Sequence, residues 1–205
     1  MKLFEFEQRT SFPSVTGLHG LGSYAAAYWH AAKGMIDNKL FNSHGQPDFS
    51  TFPIAFLFRH ALELMLKAIL IEHDERYSED PQSLLDRNHK LKGKGSNGFD
   101  YLMDLRSVVS KAGVFEDGEP VVSITQEQWD CLQAVLDEWE KYDPDGFAFR
   151  YSIDKKAKKD LTHPDFTFDI GQFSQVMEEA LEILASLKSE LDQLRYQDVL
   201  KSEGV

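Results

Sequence analysis

Arg59, His60, Glu63 and Lys67 are the residues of this chain whose types and spacing could do chemistry together. Glu63 follows Arg59 by four positions and Lys67 follows Glu63 by four. On a helix of about 3.6 residues per turn the four side chains therefore fall within roughly one quadrant. A cation, an anion and a second cation in file, with an imidazole that titrates near neutral pH, can hold a phosphate, move a proton or steady developing charge. The same file is also how a buried helix finishes one strip as a structural ion-pair ladder. Both readings stand at the level of sequence.

The element that carries this stripe spans 53–73 and is apolar nearly all the way round, which marks a helix at the centre of a core. Pro53 suits its opening position. Around it, helical spacing of apolar residues predicts further helices over about 23–40 and 99–112. A fourth starts at Thr125, where Gln128 completes a capping box, and ends at the turn Asp143-Pro144-Asp145-Gly146. The last helix runs over about 170–196 on Phe173, Met177, Leu181, Leu184, Leu187 and Leu191. Residues 41–51, 74–98 and 146–168 read as irregular, and residues 1–19 as a short extended arm. With no βαβ unit and no internal repeat, the expectation is a single all-α domain over 1–205. It comprises the arm, a bundle of about five helices over 20–196, and a tail at 197–205.

Composition narrows the function classes. A hydrophobic content of 42%, with fifteen Phe, is enough for a real core. The net charge of −12 is not the footprint of a general nucleic-acid binder. One cysteine, Cys131, rules out an internal disulfide framework and suits a reducing compartment. Charges among the first residues and within the most apolar helix speak against a signal peptide and a membrane span. The expectation is a cytoplasmic protein without membrane contact.

Two basic clusters stand out in this acidic chain. Gly93-Lys94-Gly95-Ser96-Asn97-Gly98 matches the dinucleotide glycine pattern letter for letter, but no strand precedes it, so the Rossmann reading falls away. His89, Lys90, Lys92 and Lys94 beside those glycines remain candidates for phosphate contact, against a plain solvated loop. Lys155, Lys156, Lys158 and Lys159, bracketed by Asp154 and Asp160, form the second cluster. The seven histidines have no metal-ligand spacing: His60 and Glu63 make one His-x-x-Glu pair with no second, so no metal and no cofactor is expected. No nucleophile-elbow pattern is present.

Phe58-Arg59-His60-Ala61-Leu62-Glu63-Leu64-Met65-Leu66-Lys67-Ala68, the tract His89-Lys90-Leu91, and Asp143-Pro144 followed by Phe149-Arg150-Tyr151 and Asp154 together resemble bacterial members of the HEPN (higher eukaryotes and prokaryotes nucleotide-binding) superfamily. The resemblance covers roughly 20–196 through about two dozen positions. It implies a bundle with a four-helix core, usually a homodimer. Family members are metal-independent endoribonucleases of phage-defence or toxin–antitoxin systems, or binding and partner modules that have lost catalysis. Active members carry an Arg followed four to six residues later by a His near the last helix. No Arg here has a His at that offset.

The resemblance therefore implies a nucleotide- or RNA-binding module, or a partner of a defence or antitoxin protein, without standard catalysis. Arg59, Glu63 and Lys67 would form its polar stripe, with His60, Arg150 and Tyr151 near it; Tyr151 is also a candidate phosphate or RNA contact, as the charge clusters make Lys155 and Lys156. One alternative is an endoribonuclease with a rearranged site, in which Arg150 and His60 or His89 assemble from separate segments. The other is a structural dimerisation module with no ligand.

Overall fold

A helix with apolar residues on every side has one stable place in a helical protein, the middle, and that is where residues 53–73 lie. The computed structural model describes residues 20–38, 47–73, 98–111, 122, 124–143 and 169–203. Among them are five helices and no strand: α1 (Leu21–Asp37), α2 (Pro47–His73), α3 (Gly98–Lys111), α4 (Gln126–Tyr142) and α5 (Ile170–Glu203). The chain is an all-α bundle. The expected arm at 1–19 lies outside the described residues.

Helix α2 packs on α1, α3 and α5, and α4 packs on α3 and α5. The buried residues of α2 include Ile54, Phe58, Ala61, Leu62, Leu66, Ile69 and Leu70, all at 2% exposure or less. On α1, Ala25 and Ala32 are fully buried, and side chains this small let α1 lie closely along α2. Three aromatic rings stitch the layers. Phe58 meets Phe173 edge-on at 5.8 Å, and Phe173 meets Trp139 edge-on at 5.9 Å, so α2, α5 and α4 share one aromatic chain. Each such pair adds about 0.5–1.5 kcal/mol beyond its burial. The Trp139 indole N–H donates to the Met177 sulfur at 3.4 Å, which satisfies the polar end of the ring.

Polar residues fix the ends. The Gln128 N–H donates to the Thr125 hydroxyl at 3.3 Å while the Thr125 N–H donates to the Gln128 side chain at 2.9 Å, the reciprocal box that the sequence predicts. Asp169 does the same service for α5, accepting from the N–H groups of Gly171 and Gln172 at 2.7 and 3.0 Å. At the far end of α2, His73 lies 3.0 Å from Asp192 of α5, which also accepts from Lys188.

Two boundaries differ from the sequence reading. Helix α2 opens at Pro47, so 47–51 is helical rather than loop and Pro53 is an interior residue. Both prolines fit a first turn, where a missing N–H costs nothing, and local pattern alone cannot choose between them. Pro53 is exposed, so its backbone defect faces water. Helix α5 continues to Glu203, seven residues past the expected Tyr196, through residues assigned to a tail. After Gly171 no Gly or Pro interrupts the sequence until Gly204, so nothing stops the helix even where Tyr196 and Val199 are 65% and 45% exposed. No helix of the described residues is long and apolar enough to cross a membrane.

Candidate functional site

The i, i+4 spacing on α2 places Arg59, Glu63 and Lys67 as the sequence predicts, and Glu63 is their centre. Its Oε2 accepts from Arg59 Nη1 at 3.2 Å, and its Oε1 takes Lys67 Nζ in close contact. The His60 Nδ1 lies 4.0 Å from the same Oε2. The Lys67 side chain is only 4% exposed, so its ammonium sits inside the protein with Glu63 as its counter-charge. Glu63 itself is 27% exposed and opens the stripe to water. Burial favours the neutral acid at Glu63, but Lys67, then Arg59 and His60, outweigh it and hold the carboxyl below its ordinary value of 4.5.

A fourth charge joins from another helix. The Asp143 Oδ2 lies 3.1 Å from Arg59 Nε, and the Asp143 side chain is 2% exposed. The Nε–H is not aimed at that oxygen in hydrogen-bond geometry, so this is an ion pair held by charge and proximity. Asp143 caps the C-terminal end of α4, where its backbone N–H donates to the Trp139 carbonyl at 2.8 Å. A carboxylate at a helix C-terminus opposes the helix dipole and needs a cation nearby. That is the signal by which a charge partner for Asp143 can be sought in the sequence, where the tract reads as a helix stop and as part of the HEPN resemblance. Two cations and two anions now balance, so the guanidinium of Arg59 is engaged by carboxylates on both sides rather than presented to a ligand.

His60 faces differently. The Tyr28 ring of α1 meets it edge-on at 4.6 Å, and Phe56, one turn earlier on α2, stacks on it at 5.5 Å and 13°. Its side chain is 24% exposed. Tyr24, one turn before Tyr28 on α1, is 49% exposed. The polar stripe thus borders a partly open aromatic surface at the α1–α2 seam. Phe56 sits at the i−4 position that makes such a pair legible, whereas nothing local announces Tyr28.

Of the candidate site residues, the structure brings together Arg59, His60, Glu63 and Lys67. Arg150, Tyr151, His89, Lys90, Lys92, Lys94, Lys155 and Lys156 lie outside the described residues. Among the described residues no group of three or more His, Cys, Asp or Glu side chains is arranged to hold a metal ion. No protein-family model, curated protein or solved structure matches the chain.

Proposed function

We propose that this protein is a binding module for a nucleotide or a short single-stranded RNA, with the aromatic surface around His60 as its contact. The observation that carries this reading is the half-open ring cluster of His60, Tyr28 and Phe56 beside a charge network that is already neutral. Aromatic and imidazole faces accept a base by stacking, and such contacts are sequence-tolerant. The Arg59, Glu63, Lys67 and Asp143 network serves as scaffold beneath that surface and does not grip the phosphate. The strongly acidic chain fits a ligand held by base contacts over few nucleotides rather than an extended electrostatic track. The HEPN resemblance points the same way, toward a member without the usual Arg and His pair, working as a homodimer or with a defence or antitoxin partner.

A second reading is supported by the balance of charge in the network. Two cations matched to two anions is what a purely structural module needs, with no ligand at all. Anisotropy titration of a fluorescein-labelled oligoadenylate in EDTA separates these. The binding reading expects retention that falls about tenfold or more in His60→Ala, from the loss of a stacking partner, with the RNA left uncut. No retention at low salt would leave the structural module. Cleavage that disappears in a folded His60→Ala variant would instead make the protein an endoribonuclease with a rearranged site. Light scattering that returns 23.5 kDa, the mass of one chain, would remove the dimer.

A further inference from the structure

A cleft of about 430 Å³ lies between α4 and α5, lined also by Ala55 of α2, one turn before Arg59. That volume falls within the range of about 300–1,000 Å³ in which proteins hold small molecules. Its walls are apolar and aromatic: Trp139 and Cys131 from α4, with Phe173, Val176 and Met177 from α5. Val176 is 40% exposed although it sits among the core residues of its helix, because it faces this opening. The polar groups that line the cleft include one carboxylate from each wall, Glu138 of α4 and Glu179 of α5.

The two acids are not equivalent. Glu138 shares the Lys141 ammonium at 3.6 Å, whereas Glu179 makes no ion pair with any described residue. The same Lys141 ammonium rests 4.4 Å from the centre of the Tyr142 ring, another lining residue. At the mouth, then, the protein's own ammonium already sits between a carboxylate and an aromatic face. A ligand with that chemistry on an apolar body would find the unpaired carboxylate of Glu179 for its charge and the Trp139 and Phe173 walls for its body.

We propose that the α4–α5 cleft binds a lipophilic cation, an ammonium group carried on an alkyl or aryl body, with Glu179 as its counter-ion. Glu179 also reaches the α4 wall electrostatically, since burial first and its charge second push the Cys131 thiol above its ordinary value.

Three probes with one alkyl body and different heads test this on the full chain: nonyltrimethylammonium, 1-nonanol and nonanoate, titrated calorimetrically at low salt. The expected order is cation, alcohol, carboxylate, with the cation about tenfold tighter than the alcohol. Occupancy by the cation should slow iodoacetamide alkylation of Cys131, the chain's one cysteine. Glu179→Gln, at an exposed position, should bring the cation down to the alcohol's affinity. Val176→Trp, which fills the opening, should block all three with the helical circular dichroism unchanged. Equal affinity for the three heads, preference for nonanoate, no binding, or cation binding that leaves Cys131 alkylation unchanged would each overturn the proposal. So would self-association that shields Cys131 without any probe, since a second copy would then occupy the cleft.

Discussion

Glu63→Gln isolates the charge of the polar stripe from its shape. The amide keeps the volume of the side chain and one oxygen for Lys67 to donate to, but no counter-charge. Arg59 retains Asp143 at 3.1 Å, whereas Lys67, 4% exposed, has no other carboxylate within 4.0 Å among the described residues. Removing one partner of a fully buried ion pair costs about 3–5 kcal/mol, because the remaining charge is stranded. Glu63 is 27% exposed, so water reaches the site, and about 2 kcal/mol is the expected cost. For a chain of this size that lowers the thermal midpoint by about 4–8 °C. The effect must also depend on pH. A carboxyl held below 4.5 in the folded state contributes stability that is fully present above its unfolded value. That contribution is lost as pH falls through the folded value. The gap between wild type and variant should therefore be widest near neutral pH and close on acidification. Adding Lys67→Met to the Glu63→Gln variant, which removes the stranded ammonium, should recover about 1 kcal/mol or more. Scanning calorimetry across pH measures all of this. An unchanged midpoint at neutral pH, or a double variant with simply additive losses, would mean that the stripe is solvated and that its charges ignore one another.

Two further outcomes follow from features of the helices. Thr125→Ala removes the hydroxyl that accepts the Gln128 N–H and should cost about 1 kcal/mol, read as a lower denaturation midpoint in urea. Gly34→Ala should raise stability by about 0.5–1 kcal/mol, since a Cβ there meets nothing within 4 Å and glycine weakens a helix interior. A lower midpoint for that variant would show a neighbour at Gly34.

What the sequence makes legible here is what depends on one helix at a time. The Arg59, Glu63, Lys67 file needs only the helical repeat, and the Thr125–Gln128 box needs only three residues, so both read directly from spacing. Asp143 and Tyr28 complete the site from α4 and α1, and their contacts with Arg59 and His60 exist only after the helices pack. Helix ends are intermediate cases. Pro47 and Pro53 send the same local signal, and only the continuation of α2 through the second decides between them. The exposed end of α5 persists because nothing in its sequence forbids it, which hydrophobic periodicity does not register.

Pro53 has one further effect on α2. A proline offers no N–H to the carbonyl four residues before it, so the hydrogen-bond ladder lacks the rung that would join residue 53 to Phe49. Residues 47–52 are thus tied to the rest of the helix by fewer bonds than any later turn is to its neighbours. Fraying that begins at Pro47 meets a natural stopping place before it reaches Ile54 and the core. Pro53 thus works as a firebreak, separating fraying at the start of α2 from the segment that bears Arg59, His60, Glu63 and Lys67.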